Sequence, residues 1–159
     1  MNHEEYVTSI HKQQSFIRRL YKRRSDISSE IEKLTKEYYK DIVGKFFYVS
    51  PEARNKFKDI GIGNVSDGYH FVYGVNACSN YASDDKVEIT LLVKKYGVTT
   101  HGFDEIIGVE VYEKNWFFSP SVDVKGEIEP LIVSEEEALK PLHDYYNKMV
   151  FNSFQCYML

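Results

Sequence analysis

EEYVTSIHKQQSFIRRLYKRRSDISSEIEKLTKEYYKDIV, residues Glu4 to Val43, is the stretch whose reading decides the architecture. It is highly charged and contains neither glycine nor proline, so nothing in it breaks a helix outright. Apolar side chains recur at Ile10, Ile17, Leu20, Ile27, Ile31, Leu34 and Tyr38, a spacing that keeps one heptad register. In that register the a positions hold Ile10, Ile17, Arg24, Ile31 and Tyr38, and the d positions hold Gln13, Leu20, Ile27, Leu34 and Asp41. Unbroken, such a helix is ~60 Å long at 1.5 Å per residue. A compact chain of this size has a radius of gyration of only ~15 Å. Part of the stripe must therefore overhang the body, fold back on it, or meet a partner.

One break is conceivable within the helix. Ser25-Asp26-Ile27-Ser28-Ser29 clusters residues that prefer caps to helix interiors, and Ser29 with Glu32 has the spacing of a capping box. The heptad passes through the cluster in phase, so one helix or two nearly collinear ones are expected. Gly44 follows where a helix C-cap commonly sits. Residues 1–43 thus read as a helical, coiled-coil-like arm, and residues 44–159 as the body.

The body reads as β-rich. Lys45 to Val49 is a short strand ended by Ser50-Pro51, and Ala53 to Lys58 has room for a helical turn before the Gly61-Ile62-Gly63-Asn64 loop. Tyr69, Phe71, Tyr73 and Val75 alternate along a second strand with Gly74 marking a bulge or bend, and Asn80 to Asp85 is a turn. Val87 to Val93 alternates again and is expected to end at Lys94-Lys95-Tyr96-Gly97. Ile106 to Glu113, Trp116 to Phe118 and Ile128 to Val133 make three further strands, the last an edge because of Pro130. Ser134-Glu135-Glu136-Glu137 opens a C-terminal helix, with Pro141 predicting a kink or restart. The apolar tail from Met149 to Leu159 is expected to be buried against the sheet or at an interface, Phe154 and Tyr157 being its contact residues. The fold class is α+β: a long N-terminal helix, a small curved antiparallel sheet or SH3-like barrel, and a C-terminal helix.

Two joints carry a resemblance. Tyr39-Lys40-Asp41-Ile42-Val43-Gly44-Lys45-Phe46-Phe47-Tyr48-Val49 and Ile132-Val133-Ser134-Glu135-Glu136-Glu137-Ala138 resemble the corresponding joints of phage-encoded proteins that carry a helical arm and a small SH3-like barrel. The resemblance implies a phage origin, a barrel, and a role as inhibitor or adaptor of a host protein. It brings no catalytic residues.

Charge is distributed unevenly. The net charge is −4, yet His11 to Arg24 holds Lys12, Arg18, Arg19, Lys22, Arg23 and Arg24 with no acid among them. From Ser25 onward the chain is acidic on balance. Such a rod end steers an anionic partner or sets the polarity of helix pairing. Two cysteines, Cys78 and Cys156, give neither a disulfide framework nor metal-ligand spacing. Polar MNHEEYVTS opens no signal peptide, and no apolar run nears the ~20 residues of a membrane span. A cytoplasmic protein with reduced thiols is expected.

Catalytic signals are sparse. His101-Gly102-Phe103-Asp104 sets a histidine near a carboxylate, as a general base requires, but a solvated loop pair fits it better. His70 lies out of phase with Tyr69 and Phe71 and should point to the opposite face of its strand. His143 and Asp144 fall on an amphipathic helix, and no two histidines have ligand spacing. Gly61-Ile62-Gly63 lacks the third glycine and preceding strand of a dinucleotide loop. No enzyme, cofactor or metal is therefore expected. Arg18 with Lys22, and Arg19 with Arg23, form rows on the helix beside Phe16 and Tyr21, a surface for phosphates and stacked bases or for acidic protein. The expected function is a protein-binding module acting as an oligomer, partnered by itself and another protein. Arg18, Arg19, Lys22, Arg23, Leu20, Ile27, Phe154 and Tyr157 are its contact residues. The alternative is a nucleic-acid-binding accessory protein using the basic helix.

Overall fold

The computed structural model describes the backbone of residues 1–80, 86–101 and 105–158, and the side chains of residues 1–78, 86–95 and 113–148. The expected turn at Asn80–Asp85 and loop at His101–Asp104 lie, but for their first residues, outside the described residues.

Helix α1 runs unbroken from His3 to Tyr39, 37 residues or ~55 Å. The Asn2 side chain caps it by accepting from the Glu5 amide at 2.8 Å, and Glu4 and Glu5 sit favourably in its first turn. The serine cluster at Ser25–Ser29 does not interrupt it. The helix ends five residues before the expected glycine. Residues 40–44 form a turn in which the Tyr39 carbonyl accepts from Ile42 and Val43. Gly44 then takes φ +83°, left-handed backbone that glycine alone enters freely, and its amide donates to Val72 at 2.7 Å. That bond delivers the chain directly into the sheet.

The remaining elements are β1 (Phe46–Val49), α2 (Pro51–Asp59), β2 (Gly68–Asn80), β3 (Lys86–His101), β4 (Glu105–Phe118), α3 (Val124–Ile128), a 3₁₀ turn (Glu129–Leu131), β5 (Ile132–Val133) and α4 (Glu135–Met158). The strands form one curved antiparallel sheet in the order β4-β3-β2-β1-β5. It is open, not a closed SH3-like barrel. The residues that would extend β5 explain why. Asp123 accepts from the Gly126 amide at 3.0 Å and starts α3, and Pro130 sits at the start of the 3₁₀ turn, where its missing N–H costs nothing. Of the strand expected over Ile128–Val133, only Ile132 and Val133 pair, and they do so at the β1 edge.

Two further expectations are corrected. β3 does not stop at Lys94–Gly97 but continues to His101, and the two strands expected between Ile106 and Phe118 are one. Each long strand supplies the other's backbone partners throughout, so polar residues stay in the ladder: Lys94 faces Glu113 with Nζ and Oε1 3.7 Å apart. The predicted bulge is present, because the β2–β3 register shifts between Val72 and Gly74. α4 passes through Pro141 without restarting, losing the one bond that residue 141 would donate to Glu137.

The core lies on one face of the sheet. Phe47, Val49, Val72, Val75, Ile89, Leu91, Val93, Trp116 and Phe118 point into it, covered by Ala53 and Phe57 of α2, Ile62, Val65, Ile42, and Val124 and Ile128 around α3. The Ser50 side chain caps α2 and Pro51 opens it, which fixes Phe57 against the Trp116 ring at 5.2 Å. Trp116 meets Phe47 edge-on at 5.6 Å. The opposite face carries Phe46 against Phe71 and Tyr48 against Tyr69, and there α4 arrives with Ala138 buried.

Candidate protein-contact surface on the α1 arm

Every residue from Thr8 to Ile27 is exposed, so this part of α1 stands clear of the body. Burial resumes with half-buried Ser28 and Ile31 and becomes full at Thr35 and Tyr39, where the helix meets the body. Thr35 donates to the Ile31 carbonyl at 2.8 Å, and Tyr39 is buried against Phe118 with ring centroids 6.0 Å apart. Apart from Ile31, these residues lie off the heptad seam. The seam itself is left facing outward: Ile10, Ile17, Leu20, Ile27, Leu34 and Tyr38 are all exposed, Leu20 by 66% and Leu34 by 61%.

The root of the arm is clasped. Tyr38 donates its hydroxyl to Asp123 Oδ1 at 2.8 Å, and Lys125 Nζ lies 4.7 Å from the centre of the Tyr38 ring. The same Lys125 reaches Asp41 at 3.1 Å and Glu129 at 3.7 Å. The hydrogen bond to Asp41 raises the Lys125 pKa, and that to Asp123 raises the Tyr38 pKa. Burial pushes the Tyr39 phenol up to about 12. These contacts hold the direction in which the arm leaves the body.

Leu20 and Ile27 share a shallow groove with Ile17, Tyr21, Arg23 and Arg24. Arg18 and Lys22 fall one helical turn apart, as do Arg19 and Arg23, all exposed as expected. Arg19 lies over the Phe16 ring at 5.8 Å, and among the described residues Arg18, Arg19, Lys22 and Arg23 make no ion pair. A second apolar groove continues the seam at its root, between Leu34, Thr35, Tyr38 and Tyr39 on the helix and Ile89, Pro120, Val122 and Asp123 on the body. The side chains of Phe154 and Tyr157, in the last turns of α4, lie outside the described residues, and so does the expected burial of the tail.

The remaining candidates are placed as follows. His70 does point to the opposite face from Tyr69 and Phe71, and that face is the core. Its ring stacks on Phe47 at 5.2 Å and its Nδ1 donates to the Gly68 carbonyl at 3.0 Å. Burial pushes its pKa down to about 4, with Lys95 and Lys114 adding to the fall against the opposing Gly68 bond. His143 and Asp144 are exposed on α4. Gly61-Ile62-Gly63 is a turn that drives Ile62 into the core. Among the described residues no three His, Cys, Asp or Glu side chains converge as metal ligands, and no helix is long and apolar enough to cross a membrane.

Sequence reasoning missed the clasp, since Tyr38–Asp123 and Lys125–Asp41 join residues 85 and 84 positions apart. It missed the body-facing stripe too, although the spacing of Ile31, Thr35, Tyr39 and Ile42 was a second helical face in plain view. Comparison with protein-family models, curated proteins and solved structures finds no match for this chain.

Proposed function

We propose that the chain is a non-enzymatic protein-binding module that acts as an oligomer, with the outward seam of α1 as its contact surface. The observation that carries this reading is the exposure of Ile10, Ile17, Leu20 and Ile27 on a stretch of helix that the body does not cover. An isolated helix draws little stability from propensity alone, and one this long with an apolar stripe gains most when the stripe is buried. The clasp at Tyr38 and Lys125 supports it further, because a directed arm lowers the ordering cost of docking. Glu30, Glu32 and Glu37 follow the basic block on the same helix, so an antiparallel neighbour brings opposite charges together. The resemblance of the two joints to phage-encoded proteins extends the proposal to an inhibitor or adaptor of a host protein, in the cytoplasm that the reduced thiols suit.

A specific observation also favours nucleic acid. The basic rows stand on the part of the arm that is clear of the net-acidic body, beside exposed Phe16 and Tyr21. At a Debye length of ~8 Å the body's acids are largely screened from there. Phosphates would nevertheless leave Ile17, Leu20 and Ile27 uncovered, which is why protein is preferred.

Charge reversal of Arg18, Arg19, Lys22 and Arg23 tests both. The protein reading predicts loss of association with an unchanged melting temperature of the body. Submicromolar binding of single-stranded RNA or DNA at about 150 mM salt, lost in the same variant, would replace it with the nucleic-acid reading.

A further inference from the structure

The charges that flank the seam choose among its possible occupants. Arg23, Glu30 and Glu37 hold successive positions on one side of it, immediately before the a positions Arg24, Ile31 and Tyr38, and all three are exposed. In an antiparallel pair that side of one helix meets the same side of the other. One register sets Ile17 opposite the partner's Leu34, Leu20 opposite the partner's Ile31, and Ile27 opposite the partner's Arg24. The same register places Arg23 beside the partner's Glu30, twice per pair by symmetry. Sliding by a heptad in one direction sets Arg23 against the partner's Arg23. Sliding in the other sets Glu30 against the partner's Glu30 and Ile17 against the partner's Asp41. A parallel pair stacks Arg24 on the partner's Arg24 in the seam and lays the two basic blocks side by side.

The body agrees with this choice. Leu34 and Tyr38 open onto the groove formed with Ile89, Pro120 and Val122, where the partner's Ile17 and Gln13 would arrive. The body meets α1 from the side of Thr35 and Tyr39, leaving the seam accessible down to that groove. We propose that a second copy of this chain occupies the α1 seam, antiparallel, in the register that pairs Arg23 with the partner's Glu30. This rests on the reading of α1 as a protein-contact surface and commits that surface to self-pairing.

Residue 12 then faces the partner's Tyr39, so the two residues 12 lie roughly 27 residues, or about 40 Å, apart along the pair. The full chain carrying Lys12→Cys, with Cys78→Ser and Cys156→Ser, is spin-labelled and its dipolar distance measured. A distribution centred near about 40 Å is expected. Without labels, Arg23→Glu should raise the dimer Kd about fivefold or more, and Arg23→Glu/Glu30→Arg should restore most of it. A distance under about 20 Å would overturn the antiparallel orientation, and one of about 30 Å or about 50 Å would overturn the register, each leaving the seam as the contact. A monomer with no dipolar distance and no effect of either variant would overturn self-pairing and leave the seam to a different protein. The same monomer binding a single-stranded oligonucleotide below micromolar would remove the protein-contact reading as well.

Discussion

Protonating His70 should destabilise the body. The imidazole is 3% exposed, stacked on Phe47 and 6.0 Å from Trp116, with Lys95 and Lys114 near enough to oppose a positive charge. Its pKa falls from 6.5 to about 4 in the folded chain. The folded value is the lower one, so the unfolded chain binds the proton more readily. Stability is full above pH ~6.5 and is lost as pH falls toward ~4. The whole shift is worth about 3 kcal/mol, of which about 2.5 kcal/mol has gone by pH ~4.5. His70→Phe removes the titration and keeps the stacking. It forfeits the bond to the Gly68 carbonyl, a loss of about 1 kcal/mol. The variant should therefore be less stable than the wild type at neutral pH and more stable below about pH 6. Urea titrations of both proteins from neutral pH to pH ~4.5 measure the crossing. Stability curves that stay parallel over that range would refute the buried neutral imidazole.

Leu20→Ala should raise the dimer Kd roughly thirtyfold to several-hundredfold without altering the body's melting temperature. Two-thirds of the leucine is exposed in the single chain, and burying it contributes ~1–2 kcal/mol per copy. Gly44→Ala should cost ~1–2 kcal/mol in thermal or urea unfolding, because φ +83° strains any side chain even though nothing lies within 4 Å of an added Cβ. Deleting residues 152–159 should lower the melting temperature if the apolar tail is buried. An unchanged melting temperature with loss of association would instead make the tail a docking segment.

Elements with strong local signals were legible from the residues alone. The arm, the capped start of α4, the bulge at Gly74 and the open run of antiparallel strands all follow from periodicity and turn chemistry. What escaped depends on pairing across distance. Lys94, Lys95, Lys114 and Asn115 look like strand ends locally, yet β3 and β4 hold each other through them. Ile128–Leu131 looks like strand, yet Asp123 and Pro130 make helical turns cheaper there. Without that strand a barrel lacks its closing edge. At the candidate site Ile10, Ile17, Leu20 and Ile27 stand exposed along the expected heptad, whereas Ile31 of the same stripe is half-buried. The clasp was not legible, since nothing in the sequence around Tyr38 or Asp41 names Asp123 or Lys125 as a partner.

Sedimentation equilibrium of the unmodified chain, from submicromolar to tens of micromolar, tests the central claim most directly. Pairing through the α1 seam predicts a monomer–dimer equilibrium that Leu20→Asp shifts to monomer with the body still folded. A monomer throughout the range, indifferent to Leu20→Asp, would contradict it.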